Sequence, residues 1–345
     1  MEPRPGVGAD EAAGAVPPYL ARYRRRRAGL RSDRPPGPFH LRRSSPDGQV
    51  DVGPAEAAGS EVGTEPATGP EPVDLHLVRH GETQSYLADA GLTPRGTWQS
   101  RRWGLALSAQ VREGETVHLL CAPTARAART ADQVRLGVED GLSSRGRRAR
   151  VIGPEPMPEL QNFRVWTPLG PMDPTRAAGE YGRRWGRPPS PGERRPLWLL
   201  ELGRFYRLQE GGGDPIGFWM TSPLLAFEPP AVVVRRLWAG AARLVAEASG
   251  RTRFVCCTHS GPMRAFAAWA LGHDAGEPLN TEEVRVRIWP DLGRSMVTYR
   301  GRTQEIDALP ARDEPDWWTL RTVATPPSRA SAVGAGSRRR ARKDG

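Results

Sequence analysis

Three short apolar runs in this chain each stop abruptly at a polar turn. Residues 73–78 end at Arg79-His80-Gly81, residues 117–121 at Ala122-Pro123-Thr124, and residues 254–257 at Thr258-His259-Ser260-Gly261. Apolar runs of this length bounded by Gly and Pro read as buried strands. Helix signals follow each. Thr93 before Pro94 is an N-cap followed by proline at the first helical position, opening a helix that reaches about residue 109 with Trp98, Leu105 and Leu107 against the sheet. A second helix begins in residues 123–131, and another runs from 262 to 271. Residues 230–249 form an amphipathic helix with Val233, Leu237, Ala241, Leu244 and Val245 on one face and arginines on the other, ended by Gly250. Strand and helix alternating through short links imply parallel strands with helical crossovers. The expected fold is therefore α/β: a three-layer sandwich, a mostly parallel sheet with helices on both faces. A further short strand is expected at 151–152, and an antiparallel pair at 283–289 and 295–300 across a turn at 290–293.

Of the 345 residues, about 72–323 are expected to form one folded domain, ample for a real core. Residues 1–71 and 324–345 are rich in Pro, Gly, Ala, Ser and Arg and carry few large aliphatics, so both are expected to be disordered tails. The basic cluster at residues 24–27 is a candidate short helix for a partner. Residues 165–230 are crowded with Pro, Gly and Trp (Trp166, Trp185, Trp198, Trp219) and read as an insertion or lid, with a helix near 198–208.

The net charge of +11 raises the question of nucleic acid. Lys343 is the only lysine, so the basic excess is nearly all arginine, as a G+C-rich coding bias would produce. No nucleic-acid module and no basic strand interleaved with aromatics is visible, and nucleic-acid binding is not expected. Neither an apolar signal segment nor a run of ~18 apolar residues is present, so no membrane partner is expected. Cys121, Cys256 and Cys257 lie in strand-like runs and read as small buried hydrophobes in a reducing cytoplasm, forming neither a disulfide framework nor a metal site.

The chemistry lies at the strand ends. Arg79 and His80 close the first strand, and His259 closes another. Arg126 falls in the first turn of a helix opening at a strand's carboxyl end, where an anion is already favoured; the competing reading is a solvated surface arginine. Open α/β folds build their clefts at this edge of the sheet. Taken in order, residues 77–83 (Leu-Val-Arg-His-Gly-Glu-Thr), 92–96 (Leu-Thr-Pro-Arg-Gly) with Gln99, 123–127 (Pro-Thr-Ala-Arg-Ala) with Thr130, Glu159, and 258–261 (Thr-His-Ser-Gly) resemble the histidine phosphatase superfamily, its phosphoglycerate-mutase-like group. The resemblance spans about 73–300.

That resemblance implies a single catalytic domain in which His80 attacks a phosphoryl group and becomes a transient phosphohistidine. It implies that Arg79, Arg126 and His259 surround the phosphate, with Thr83 also on the substrate. Glu159 matches the general acid that protonates the leaving group and then activates water, with Glu82 and Glu155 as nearby alternatives. No metal and no cofactor is implied. Two positions depart from the mutases: Tyr86 stands where an asparagine is common and Arg129 where a glutamine is common. The loop before Leu92 is also short. These losses favour a phosphatase acting on a phosphorylated small molecule, or a phosphoprotein, over a mutase-type phosphotransferase. A non-catalytic relative that binds a phosphorylated ligand or a protein is the third expectation.

Overall fold

The computed structural model describes residues 72–85, 88–192, 194–289 and 294–307. The tails expected at 1–71 and 324–345, the turn at 290–293 and Tyr86 lie outside the described residues. The described chain builds a seven-stranded sheet in the order β3-β2-β6-β1-β7-β8-β9. Its strands are β1 (Val73–Arg79), β2 (Thr116–Cys121), β3 (Arg150–Pro156), β6 (Thr252–Thr258), β7 (Glu283–Trp289), β8 (Arg294–Tyr299) and β9 (Arg302–Asp307). The four strands from β3 to β1 are parallel and form the core of the sheet. β7, β8 and β9 continue from β1 as an antiparallel wing. β9 follows β8 through residues 300–301, and no sequence signal had marked it.

The two faces of the sheet are covered differently. Leu75, Leu77, Cys256 and Val286 point to one face and pack under α6 (Pro230–Glu247) and α7 (Ser260–Leu271) through Leu237, Trp238, Ala241, Leu244 and Phe266. Of the five apolar residues expected inside on α6, four are buried and Val245 is half-buried. The residues between, such as His76, face α1 (Pro94–Ser108), whose Trp103 meets the His76 ring edge-on at 6.0 Å. Alternation along a strand thus gives a helix–sheet–helix sandwich.

α1 corrects one expectation. Trp98 and Leu105 are exposed, at 57% and 42%, and only Leu107 of the three expected apolar residues is buried. The buried face is instead Gly96, Ser100, Gly104, Leu107 and Ser108. It packs against α2 (Ala125–Ser144), and the glycines are what permit the approach. A Cβ added at Gly104 would strike the Val134 carbonyl, and one at Gly137 the Arg101 carbonyl. A seam of small residues leaves no hydrophobic period in the sequence, so the wrong face looked apolar.

Residues 165–230 hold structure of their own: a hairpin of β4 (Val165–Thr167) and β5 (Gly170–Met172), then α3 (Pro174–Trp185), α4 (Leu197–Glu210) and α5 (Pro215–Thr221). Phe163 stacks on Trp219 at 4.2 Å and meets Phe205 and Phe227 at 5.9 and 6.0 Å, a cluster continuous with the main core. Trp198 and Trp219 are buried, while Trp166 and Trp185 are half-buried. Beneath this cluster the fully buried Glu228 carboxylate is held by Arg164 at 2.9 Å and Arg236 at 3.3 Å.

Candidate active site

β1 and β6 are neighbours with Arg79 opposite Thr258, so the next residue of each strand is a histidine at the same level. From β1 the chain crosses by α1 to β2, on one side of this pair. From β6 it crosses by α7 to β7, on the other side. Connections that leave two adjacent parallel strands in opposite directions open a crevice at their carboxyl ends, and both histidines stand there. Their rings lie 5.3 Å apart at 67°. Each residue is 2% exposed.

The turn after His80 is fixed from several sides. Its amide donates to the Thr258 carbonyl at 2.9 Å, and Asn280 Nδ2 donates to its carbonyl at 3.0 Å. The Gly81 amide donates to Thr130 Oγ1 at 3.0 Å, and the Thr130 hydroxyl donates to the Arg126 carbonyl at 2.8 Å. The Glu82 amide donates to Gln99 Oε1 at 3.1 Å. Gly81 is required because a Cβ there would sit 2.5 Å from the Gly96 carbonyl oxygen of α1. His80 Nδ1 lies 2.9 Å from the Gly81 carbonyl, which can only accept. The proton therefore sits on Nδ1 and the lone pair on Nε2.

His259 caps α7, with Nε2 3.4 Å from the Thr124 hydroxyl. Its Nδ1 is buried and meets no hydrogen-bond partner among the described residues. Arg126 is the second residue of α2 and is 2% exposed, and Arg79 is 1% exposed. Burial, then the charge of Arg126, then that of Arg79 push the His80 imidazole well below its ordinary pKa. For His259 burial again comes first, followed by Arg126, His80, Arg79 and Arg236. Both rings are thereby neutral bases beside buried guanidiniums. Of the residues expected in the site, His80, His259, Arg79 and Arg126 come together.

Two do not. The Thr83 hydroxyl donates to the Gly91 carbonyl at 2.7 Å, and Thr83 bridges Leu92, so it closes the base of the loop from Gln84 to Gly91. Glu159 stands in a 3-10 turn (Pro158–Leu160) whose next residue, Leu160, is buried and accepts from Thr258 Oγ1 at 2.5 Å. Successive side chains on such a turn diverge by about 120°. Anchoring Leu160 inward sends Glu159 toward α6, where Arg243 clasps both carboxylate oxygens at 2.6 and 3.1 Å. The structure therefore gives Glu159 a surface partner instead of the histidine pair. Its alternatives are also engaged elsewhere: Glu82 accepts from Thr93 Oγ1 at 3.0 Å, and Glu155 lies 3.5 Å from His118.

Three carboxylates that sequence reasoning passed over sit on the site arginines. Asp89 Oδ2 accepts from the Ala125 amide at 2.5 Å, and its Oδ1 accepts from the Arg126 amide and Nη1, both at 3.2 Å. Asp173 Oδ2 lies 3.5 Å from Arg126 Nη2 while its Oδ1 caps α3 on the Thr175 amide. Glu277 pairs with Arg79 Nη1 at 2.9 Å, beside a bond from the same nitrogen to the Pro278 carbonyl. Asp173-Pro174 carries the same cap signal as Thr93-Pro94. Asp89 and Glu277 sit in loops without a pattern.

The arrangement sets two neutral imidazoles beside two buried guanidiniums at the carboxyl edge of the parallel strands. Among the described residues no group of three or more His, Cys, Asp or Glu is placed to hold a metal, and no helix is long and apolar enough to cross a membrane. The family model of the histidine phosphatase superfamily (branch 1) matches residues 75–145 of the chain. Solved structures similar to it include Bacillus stearothermophilus YhfR, at 16% identity and TM-score 0.41, covering 66% of this chain and 96% of that one. A mycobacterial glucosyl-3-phosphoglycerate phosphatase in complex with inorganic phosphate is 17% identical with TM-score 0.39, over 66% and 97% of the two chains. A phosphoglycerate mutase from Bacillus anthracis is 15% identical with TM-score 0.38, over 69% and 92%. No curated protein matches at the sequence level.

Proposed function

We propose that the chain is a phosphatase that hydrolyses phosphate monoesters through a phosphohistidine on His80. The observation that carries this reading is the pair of imidazoles at 5.3 Å, kept neutral first by burial and then by the charges of Arg126 and Arg79. His80 offers the Nε2 lone pair, since Nδ1 donates to Gly81. Attack on phosphorus spreads charge over three equatorial oxygens, and fixed donors on those oxygens lower the barrier. Arg79, Arg126, the His259 ring and the α2 N-terminus supply such donors. Water then attacks the phosphohistidine and the P–N bond breaks, returning His80 to its starting form. No cofactor enters the scheme. The substrate is a phosphorylated small molecule. The three cysteines are buried free thiols, which suits a reducing cytoplasm.

Phosphate release from a panel of sugar phosphates, nucleotides and phosphopeptides tests the reading, with His80→Ala beside the wild type. The expected result is release from at least one ester, an acid-labile phosphoryl label on the wild-type chain after quenching, and neither with His80→Ala. Unchanged release by His80→Ala overturns the nucleophile. Transfer of the label to a second substrate hydroxyl rather than water would identify a mutase.

A further inference from the structure

The proposed reaction leaves one chemical task without an owner. An alkoxide leaving group needs a proton, and Glu159, the residue expected to supply it, is clasped by Arg243 on the α6 side. Resting on the phosphatase reading, we infer that Asp89 is the general acid and base of this site. Among the described residues, two carboxylates contact the guanidinium of Arg126, those of Asp89 and Asp173. Asp173 has one oxygen committed to capping α3 at 2.7 Å and reaches Arg126 only at 3.5 Å. Asp89 meets Arg126 at 3.2 Å and the Ala125 amide at 2.5 Å, on a loop whose ends are pinned by the Thr83–Gly91 hydrogen bond. Its side chain is about one-third exposed, whereas His80, His259, Arg79 and Arg126 are buried. On this inference a leaving alcohol departs, and a water arrives, on the exposed side of Asp89. A carboxyl group that shares a guanidinium with the phosphoryl oxygens is suited to exchange a proton with the ester oxygen bonded to the same phosphorus.

The protons balance. In the free protein the Asp89 carboxylate occupies the donors at the start of α2. A phosphate monoester carries its last proton up to about pH 6, so the monoanion delivers one on binding. The phosphoryl oxygens take over the Arg126 and amide donors, and Asp89, now beside a dianion, receives that proton. His80 Nε2 bonds to phosphorus, the P–O ester bond breaks, and the alkoxide takes the proton from Asp89. In the second half the Asp89 carboxylate removes a proton from water as its oxygen attacks phosphorus. The P–N bond breaks, leaving phosphate, neutral His80 and protonated Asp89.

Asp89→Asn keeps an oxygen that accepts from Ala125 and Arg126 but cannot carry the proton. The test compares wild type with this variant on p-nitrophenyl phosphate, whose leaving group needs little help, and on phenyl phosphate and glycerol phosphate, whose leaving groups need much. The expected loss is about 100-fold or more on the two basic leaving groups and under about 10-fold for phosphorylation by p-nitrophenyl phosphate in the pre-steady-state burst. The steep dependence on leaving-group basicity is the signature of a missing acid. An equal loss on all three esters, or none, overturns the inference. Glu159→Gln giving the leaving-group-dependent loss instead would return the role to Glu159, and Asp173→Asn giving it would move the role there. A thermal melt checks that Asp89→Asn is folded, and Asp89→Ser provides a second variant lacking the acid. If the wild type releases no phosphate from any of the three, or His80→Ala matches it, the phosphatase reading itself fails, a result distinct from any of these.

Discussion

At the scale of single residues, the site is governed by the cationic surroundings of two buried imidazoles. Because Arg126 helps hold His80 below its ordinary pKa, the acid limb of kcat/KM is expected below pH 6.5. Arg126→Ala removes a cation, so the His80 pKa rises and the limb moves to higher pH. The same change removes a phosphate donor and should cost about 100- to 1000-fold in kcat. A pH–rate profile of both proteins measures the two effects together; an unmoved limb would show that Arg126 does not set the imidazole. The depressed pKa values also act on stability. The unfolded chain binds protons at both histidines from about pH 6.5 downward while the folded chain does not, so stability is full above that pH and declines below it. His80, His259, Arg79 and Arg126 were legible because strand ends and a helix start place them without long-range information. Glu159 was misplaced because one step along a 3-10 turn changes the face of a side chain. Nothing local reveals which of two adjacent residues, Glu159 or Leu160, goes inward.

At the scale of elements, α1 and α2 set the position of the His80 turn. α1 contributes Gln99 and the close approach at Gly96, and α2 contributes Thr130 and Arg126. Their separation is fixed by the glycine and serine seam. Gly137→Ala places a methyl group against the Arg101 carbonyl and should destabilise by about 1–3 kcal/mol, the range for overpacking. Gly179→Ala, on an exposed stretch of α3 with open space at the added Cβ, should stabilise by up to ~1 kcal/mol. Thermal melts of the two variants, with opposite signs, check the seam. The parallel strands and the α6 face were readable from apolar period. The α1 face was not, since its contact is made by residues without hydrophobic weight. β9 has four exposed residues in succession from Arg302, so it carries none of the alternation by which a strand is recognised.

At the scale of the whole molecule, the sheet is the frame and its far edge has a polar seam of its own. Arg253 bonds Glu115 at 2.9 Å and donates to His76 Nε2 at 2.9 Å. Asp74 lies between Arg285 and Arg287. Burial would raise the Asp74 pKa, but hydrogen bonds from Arg287 and Arg285 outweigh it and hold the carboxyl far below the usual range. Its contribution is present above about pH 4 and is lost as pH falls further. Asp74→Asn should therefore flatten the steepest part of an acid unfolding curve. A chain starting at residue 71, ahead of the buried Val73, should keep both its melting temperature and its phosphate release. Loss of soluble protein would show that the first seventy residues belong to the folded unit.

The carboxylates resting on Arg126 and Arg79 have a bearing on how the cycle ends. A pocket whose cations already hold internal counter-ions gains less from an arriving anion than bare arginines would, since each guanidinium exchanges one acceptor for another. Free phosphate, which has no remaining ester chain to add contacts, meets Asp89 and Glu277 as competitors ready to reclaim their seats. Product inhibition should accordingly be weak, and it should strengthen when Glu277 is replaced by glutamine.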